Sequence, residues 1–414
     1  MADYDVTVIG AGPAGLAAAL AADEKGKRVL LVERAARMGG ILNQCIHDGF
    51  GLLRFGERLS GCEYASRYVR MVEAAGIETT LLTFVTRVEK KDGVFHITLV
   101  TKDGVRTVTS TALVLSTGCR ERTAKQVGIH GTRPAGVYTA GTAQYYINIL
   151  GEQPAKRVVI LGSGDIGLIM ARRLTLEGAE VLGVFEAKST PSGLTRNIAQ
   201  CLDDFGIPLH VSHTVTRVFG DARLEAVEIS EVDEKMQPIP GTAQKIDCDT
   251  LILSVGLIPE NELAETLGVT LDPRAKGPVC DQNYETLVDG VFVCGNALHV
   301  NDLVDYVSES GASAGAAAAD YSGKARELTE LTADGGFLYA VPERLDTAGD
   351  LSKTVVFFRS REVREKSQVS VSVNGETVFT KKYQRLKPPE MERIEVDLSR
   401  VKPGDRVTLE LREA

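Results

Sequence analysis

Residues 10–15 read Gly-Ala-Gly-Pro-Ala-Gly, and residues 162–167 read Gly-Ser-Gly-Asp-Ile-Gly. An apolar run of strand length precedes each stretch, a helical pattern follows it, and the next apolar run ends on an acid, Glu33 or Glu186. Glycines at this spacing let a backbone approach a pyrophosphate at a helix N-terminus, and the acid accepts hydrogen bonds from ribose hydroxyls. A single stretch also fits a tight turn that binds nothing. Two complete copies predict two dinucleotide-binding sites.

Length and composition fit packed α/β layers, because 414 residues include 41 glycines and 43% hydrophobic residues. The formal net charge of -9 argues against a nucleic-acid partner and against general attraction to anionic lipid. The first strand begins almost directly after Met1, and no apolar stretch reaches the length of a membrane span, so we expect a cytoplasmic protein. Seven scattered cysteines without a Cys-x-x-Cys pair predict reduced thiols and no metal site.

The last part of the chain changes character after about Thr332. Apolar and polar residues alternate over 354–358, 368–373, 393–398 and 406–411, which predicts strands of a small antiparallel β domain. A tight hairpin is expected at Asn374-Gly375. Basic residues are concentrated in this region: Lys353, Arg359, Arg361, Arg364, Lys366, Lys381, Lys382, Arg385 and Lys387. They fit either a docking surface for a partner protein or a solvated face.

Several segments carry a specific resemblance. Residues 116–122 (Ser-Thr-Gly-Cys-Arg-Glu-Arg) and 131–144 resemble the FAD/NAD subunits of hydrogen cyanide synthase, opine oxidase and heteromeric sarcosine or proline dehydrogenases. Residues 39–51, 196–202 and 294–299 resemble flavoproteins of bacterial glycerol-3-phosphate dehydrogenase clusters. Nearly the whole chain is thus similar to the two-dinucleotide-binding-domain flavoproteins, the pyridine nucleotide-disulfide oxidoreductase superfamily.

The resemblance implies an α/β fold with two Rossmann-like domains, the NAD domain being inserted in the FAD domain. We expect a discontinuous FAD-binding domain over 1–120 and 265–330 and an NAD-binding domain over 121–264. A C-terminal β-rich domain over 331–414 takes the place of the superfamily's usual α/β dimerisation module.

The predicted cofactor ligands follow from the fingerprints and from strands that close on glycines. Those for FAD are Gly10, Gly12, Pro13, Ala14, Gly15, Glu33, Arg34, Gly40, Thr117, Gly118, Gly295, Asn296 and Asp305. Those for NAD are Gly162, Gly164, Asp165, Ile166, Gly167, Glu186 and Gly256.

Three of these positions need comment. Glu186 would repel a 2′-phosphate, so NADH is expected over NADPH, although Lys188 and Arg196 lie nearby in sequence. Asn296 stands where the superfamily presents an aspartate, and its amide oxygen can still accept from a ribityl hydroxyl. Asp305, like Asp302, alternatively caps the helix predicted from about residue 302.

Cys45 and His47 are the candidate catalytic residues. The superfamily's disulfide reductases use two close cysteines, whereas Cys45 has no near partner in the sequence and resembles the single redox cysteine of peroxidases and oxidases. His47 could stabilise a Cys45 thiolate, donate a proton or bind a substrate anion. The alternative is that Cys45 is an inert packing residue and His47 caps a loop. Cys119 and Cys294 follow buried strands and are expected to be structural.

The resemblance implies hydride transfer between NAD(H) and FAD. Electrons would pass to or from a second flavoprotein dehydrogenase, such as a glycerol-3-phosphate dehydrogenase, or a small redox protein, and a homo-oligomer is also considered. Two alternatives stay open at this point. One is a stand-alone NADH oxidase or peroxidase that uses Cys45, and the other is a scaffold subunit that keeps its nucleotides only for stability.

Overall fold

The computed structural model describes residues 2–413, which divide into two compact units. One unit contains the chain up to Cys119 together with everything from Pro259 onward, and the other unit is Arg120–Ile258. The second unit is therefore an insertion within the first. We call the first the outer unit and the second the inserted unit.

The first part of the chain alternates strands and helices. Its strands are β1 (Tyr4–Ile9), β2 (Val29–Val32), β3 (Asp48–Phe50), β4 (Leu59–Ser60), β5 (Glu78–Thr80), β6 (Phe84–Lys91), β7 (Val94–Thr101), β8 (Gly104–Leu115) and β9 (Cys119–Glu121). Its helices are α1 (Pro13–Asp23), a 3₁₀ helix (Gly40–Gln44) and α2 (Gly61–Ala75).

The inserted unit contains a second α/β arrangement. Its strands are β10 (His130–Gly131), β11 (Val137–Thr139), β12 (Arg157–Leu161), β13 (Glu180–Glu186), β14 (Leu209–Val211), β15 (His213–Gly220), β16 (Leu224–Glu231), β17 (Gln244–Asp247) and β18 (Thr250–Leu253), and β19 (Leu257–Pro259) leads out of it. Its helices are α3 (Ala140–Tyr145), a π-helix (Tyr146–Leu150), α4 (Asp165–Leu176) and α5 (Thr195–Cys201). A parallel sheet runs in the order β11-β18-β12-β13-β14.

The remainder of the chain belongs to the outer unit: it first completes the α/β part of that unit and then forms a β-rich region. The helices are α6 (Glu262–Thr266), a 3₁₀ turn (Gly295–Ala297) and α7 (Val304–Asp320). The strands are β20 (Val291–Val293), β21 (Leu328–Ala333), β22 (Phe337–Val341), β23 (Arg344–Asp346), β24 (Thr354–Ser360), β25 (Arg364–Val373), β26 (Glu376–Leu386), β27 (Glu392–Val396) and β28 (Val407–Glu413).

The central sheet of the outer unit contains strands from both sides of the inserted unit. Strands β5, β2, β1 and β8 run parallel in that order, and β20 adds alongside β8, pairing Phe292 with Val114. Its central apolar residues are buried, Val6 and Val114 among them, whereas Val105 near the start of β8 is exposed. The strand that closes on Gly295 is short, Val291–Val293.

The C-terminal region has its own apolar core between a five-stranded sheet, β23-β21-β28-β25-β26, and a three-stranded sheet, β22-β24-β27. We call residues 328–413 the β sandwich. Asn374 and Gly375 have φ of 51° and 84°, so they form the predicted positive-φ turn between β25 and β26. Two Rossmann-like layers followed by an antiparallel β region confirm the predicted fold class.

Helices α1 and α7 pack so closely that their backbones touch. A Cβ atom added at Gly311 would lie 2.1 Å from the carbonyl oxygen of Ala14, and one at Gly315 would lie 2.1 Å from that of Ala18. Because both pairs advance along the chain in the same direction, the helices run parallel. This contact fixes the start of α1 beside the chain that enters α7.

Among residues 2–413, no helix combines the length and apolar character needed to cross a membrane. Over the same residues, no group of three or more His, Cys, Asp or Glu side chains is arranged to hold a metal ion.

The close α1–α7 contact predicts that a side chain added at Gly311 lowers stability. We expect Gly311→Ala to destabilise the outer unit by about 1–3 kcal/mol, despite the higher helix propensity of alanine, because the methyl group overpacks against Ala14. Ser313→Ala on the exposed side of α7 is the matched control and should not lower stability. Thermal unfolding measures both, and a Gly311→Ala variant as stable as this control would contradict the packing argument.

Candidate functional site

The first fingerprint joins β1 to α1 through two glycines that accept no side chain. Gly10 has φ of +104°, and a Cβ atom there would lie 2.4 Å from the Ser116 carbonyl oxygen. A Cβ atom at Gly15 would lie 1.8 Å from the Gly10 carbonyl oxygen. The Ser116 hydroxyl donates to the Gly10 carbonyl at 2.9 Å and ties the end of β8 to the same turn. These glycines serve strand–helix packing.

Gly12 has a different role from its two neighbours. A Cβ atom added there would meet nothing within 4 Å, so the space above it is open. Gly12 is the N-cap of α1, and Pro13 and Ala14 open the helix, whose unpaired N–H groups favour an anion. Gly40 lies against it, since a Cβ atom there would be 3.0 Å from the Gly12 Cα. This open helix end is the right kind of cradle for a pyrophosphate.

Glu33 lies beside that cradle with an exposed fraction of only 8%. Its Oε2 accepts from the Ala11 N–H at 2.7 Å, and its Oε1 accepts from the Ala35 N–H at 2.7 Å. Each oxygen therefore retains acceptor capacity, as a ribose-binding carboxylate needs. The next residue, Arg34, forms a surface ion pair with Glu260 at 3.2 Å.

Two of the segments that close on glycine, 112–118 and 286–295, lie near the first fingerprint. The Thr117 hydroxyl donates to the Glu260 carbonyl, and the Gly118 carbonyl accepts from the Glu260 N–H at 2.9 Å. Gly295 has φ of +61°, and a Cβ atom there would lie 2.8 Å from the Ala14 Cβ. The turn after β20 therefore lies directly over the first turn of α1.

Asn296 is hydrogen bonded within its own turn. Its Oδ1 accepts from the backbone N–H of Asn301 at 3.0 Å and from the Asn301 side-chain amide at 3.3 Å. Its Nδ2 donates to the Cys119 sulfur at 3.5 Å. These bonds hold the turn, and the ribityl contact through the amide oxygen stays a prediction.

The two aspartates near the start of α7 do not cap it. Leu303 is the N-cap, with no side-chain cap hydrogen bond, so the capping alternative is wrong. The buried Asp305 accepts from the N–H groups of Leu53 and Arg54 at 3.4 and 3.3 Å and holds that loop. Asp302 instead bonds the β sandwich.

The second fingerprint repeats the geometry of the first. A Cβ atom at Gly162 would lie 2.1 Å from the Ser254 carbonyl oxygen, and one at Gly167 would lie 2.7 Å from the Gly162 oxygen. A Cβ atom at Gly164 would have its nearest neighbour, the Ser254 hydroxyl, at 3.6 Å. The middle glycine, at the start of helix α4, again has room for a methyl group, which would be in ordinary van der Waals contact with Ser254.

Glu186 is more heavily hydrogen bonded than its counterpart Glu33. Its Oε2 accepts from the Ser163 N–H at 3.1 Å and from the hydroxyls of Ser163 and Ser192 at 2.6 and 3.1 Å. Its Oε1 accepts from the Lys188 N–H at 3.0 Å. The Lys188 ammonium donates to the Ser192 hydroxyl at 3.3 Å. The loop after β13 therefore folds over this carboxylate.

The other predicted residues of this site serve the local backbone. Asp165 accepts from the Leu194 N–H at 2.9 Å and from the Asn197 amide at 2.7 Å, which fixes the same loop. Ile166 is half-buried in the first turn of α4. Gly256 has φ of +98° and its carbonyl accepts from the Arg122 N–H at 3.1 Å.

Cys45 ends the 3₁₀ helix next to the first fingerprint, and its environment corrects one expectation. Cys62, at the start of α2, is its neighbour in space: the Cys62 sulfur lies 3.8 Å from the Cys45 carbonyl oxygen. Burial, with a smaller contribution from Cys62, raises the pKa of the Cys45 thiol to about 12. This disfavours the thiolate that a redox role requires. His47 is half-buried, its ring centroid 5.1 Å from that of Phe50.

A family model for pyridine nucleotide-disulphide oxidoreductases matches residues 4–320. The chain belongs to the pyridine nucleotide-disulphide oxidoreductase family. Members of this family are FAD-dependent NAD(P)H oxidoreductases. The match includes both fingerprints and α7, and it ends before the β sandwich.

Relatives within the family agree with the predicted resemblance. An opine oxidase subunit of Agrobacterium tumefaciens is 28% identical over 79% of this chain and 65% of that protein. The hydrogen cyanide synthase subunit HcnB of Pseudomonas aeruginosa is 29% identical over 63% of this chain and 59% of that protein. The chain thus spans about three fifths of the length of these relatives. Thioredoxin reductase of T. acidophilum has a similar fold, with a TM-score of 0.63, 23% identity and coverage of 77% of this chain and 99% of that one.

Sequence reasoning missed several residues that build the two sites. Ser116 and Ser254 occupy equivalent places, and the signal was available because each precedes a strand-closing glycine by two residues in Ser-Thr-Gly and Ser-Val-Gly. Ser163 and Ser192, which bond Glu186, and Cys62 had no signal, since they act through contacts distant in the sequence.

The environment of Cys45 predicts low thiol reactivity. With a pKa of about 12, only roughly one Cys45 in 30,000 is a thiolate near pH 7.5, against about one in ten for an ordinary cysteine. Iodoacetamide should therefore alkylate Cys45 at least 100-fold more slowly in the native protein than after unfolding in guanidinium, as followed by peptide mass spectrometry. Equal rates in the two states would restore the single-cysteine redox hypothesis.

Proposed function

We propose that this chain binds FAD at the first fingerprint and NAD(H) at the second and catalyses hydride transfer between them. The observation that carries the proposal is the duplication: each fingerprint has two glycines packed against backbone, a middle glycine with room for a methyl group, and a buried acid bonded to the turn. A tight turn that bound nothing would not need a buried acid beside an uncrowded middle glycine at both places.

The FAD ligands in this proposal have separate tasks. The backbone at Gly12 to Ala14 receives the pyrophosphate, and Glu33 receives the adenosine ribose. Gly295 and the backbone at Asn296 line the ribityl chain. Gly40, Thr117, Gly118, Arg34 and Asp305 bring the surrounding segments into place through the contacts described above. Bound FAD accepts two electrons as a hydride and can release them singly or in pairs.

NADH is the proposed nucleotide for the second site, with Gly162 to Gly167 at the pyrophosphate. The Glu186 carboxylate is 6% exposed and negatively charged where a 2′-phosphate would lie, which opposes NADPH. Lys188 directs its ammonium to Ser192, and no ion pair between it and Glu186 is formed within the described residues. Ser163 and Ser192 would share Glu186 with a ribose hydroxyl. They would thereby contribute to the selectivity for NADH over NADPH.

A second protein is proposed as the source or acceptor of electrons. Two relatives are named as subunits, of opine oxidase and of hydrogen cyanide synthase. We infer that this chain likewise works beside a dehydrogenase subunit or with a small redox protein. The resemblance of 39–51, 196–202 and 294–299 to flavoproteins of glycerol-3-phosphate dehydrogenase clusters makes such a dehydrogenase the first partner to test.

The two middle glycines provide matched variants that separate ligand binding from folding. Gly12 and Gly164 have negative φ values and room for a methyl group, so alanine at either position should leave thermal stability nearly unchanged. Gly12→Ala should lose bound FAD and, with it, NADH-dependent reduction of an artificial dye. Gly164→Ala should keep FAD, because its only effect is on the second site, and should raise the KM for NADH at least tenfold.

Purified protein is compared for FAD content, melting temperature and dye reduction. FAD retained in Gly12→Ala at the wild-type level, or an unchanged KM in Gly164→Ala, would refute the assignment of that site.

A further inference from the structure

Arg359 in β24 belongs to the basic residues of the β sandwich, but it is not on a solvated face. Only 12% of its side chain is exposed. The guanidinium pairs with Asp302 and donates to the Pro389 carbonyl, to the Val300 carbonyl at 3.1 Å and to the Tyr339 hydroxyl at 3.0 Å. Two of these acceptors, Asp302 and Val300, lie outside the β sandwich, in the turn between β20 and α7.

That turn, residues 296–302, is held at both ends. At its start the Asn296 side chain accepts twice from Asn301 and donates to Cys119. At its end Arg359 and the Met391 N–H, the latter at 2.6 Å, both bond Asp302. Because the two sets of bonds share one short turn, a shift at Arg359 must move Asn296.

The middle of the turn is packed as well as bonded. His299 is 1% exposed, and its ring centroid lies 5.7 Å from that of Tyr339 and 5.2 Å from that of Phe357, both in the β sandwich. Burial, together with the charge of Arg359, lowers the pKa of His299 to about 3. The imidazole is therefore neutral and acts as a packing group.

We propose that Arg359 is a positioning residue for the first nucleotide site, acting through turn 296–302 on Gly295 and Asn296. The proposal rests on the proposed function, because it assigns this site to FAD. Gly295 would place a Cβ atom 2.8 Å from Ala14, so the turn is already in contact with the first turn of α1 and has no space to relax inward. The β sandwich thereby positions residues of the proposed FAD site, although none of its own side chains lies in that site.

The matched control is Arg393 in β27, which also joins the β sandwich to the rest of the outer unit. It bonds Glu309 in α7 through two hydrogen bonds of 2.5 and 3.2 Å, and its side chain is 24% exposed. Within residues 2–413 its guanidinium bonds only Glu309 and Glu395, so it does not reach turn 296–302. Arg393→Met therefore loosens the same domain contact without touching the turn.

The experiment compares wild type, Arg359→Met, Arg359→Lys and Arg393→Met for FAD dissociation constant, flavin midpoint potential and melting temperature. Arg359→Met should weaken FAD binding about tenfold or more and shift the potential, because Val300 and Asp302 lose a charged donor. The FAD affinity of Arg359→Lys should lie between those of wild type and Arg359→Met, since an ammonium reaches Asp302 but cannot also bond Val300 and Tyr339. Arg393→Met should stay within about twofold of wild type in FAD affinity, whatever its melting temperature.

Equal changes in FAD affinity and potential in Arg359→Met and Arg393→Met would reduce Arg359 to a structural role and overturn the proposal, as would wild-type values in Arg359→Met. If Arg359→Met does not fold, Asp302→Asn replaces it. This variant keeps an acceptor for Met391 but removes the charge facing Arg359, and it should weaken FAD binding about threefold. Wild-type affinity in Asp302→Asn would then overturn the proposal. A wild-type chain that binds no FAD would instead refute the proposed function, before any variant is compared.

Discussion

Backbone contact between α1 and α7 is the constraint on which the first nucleotide site depends. Gly311 and Gly315 leave no room for a side chain opposite Ala14 and Ala18, so the two helices approach as closely as helices can. With α7 fixed there, the turn that precedes it lies over the first turn of α1, where Gly295 meets Ala14. A site assembled from segments so distant in sequence requires a contact of this rigidity.

The same local solution is used twice in the chain. At each fingerprint a serine that directly follows a strand, Ser116 after β8 or Ser254 after β18, lies against the first and third glycines. Only the middle glycine leaves room for a ligand. The two sites differ in their acids. Glu33 has one N–H bonded to each oxygen, whereas Glu186 has four donors, two from Ser163 in the fingerprint and two from the loop after β13. In the proposed function, a ribose hydroxyl at the second site would share Glu186 with serine hydroxyls.

Glycine spacing and strand periodicity predicted the strand–turn–helix unit at each fingerprint, because these features are local and the backbone allows few alternatives. The insertion of one domain in the other was implied by the family resemblance. Side-chain partners were less predictable. Asn296 accepts from Asn301, a contact that the sequence did not indicate. Arg359 was expected in a docking surface or on a solvated face, and instead it lies between the β sandwich and turn 296–302. Cys45 has a cysteine neighbour that its sequence surroundings did not indicate. Such contacts depend on tertiary packing, which no local pattern records.

The β sandwich extends this account beyond the part of the chain that the family model matches. Two of its arginines, Arg359 and Arg393, pair with carboxylates elsewhere in the same unit, Asp302 and Glu309. The central claim is nevertheless that both fingerprints bind nucleotide and exchange a hydride. Anaerobic titration of the purified protein with NADH, followed by the visible absorbance of bound flavin, tests it most directly. Stoichiometric bleaching is the predicted result, and a bound flavin that NADH leaves oxidised would contradict the account.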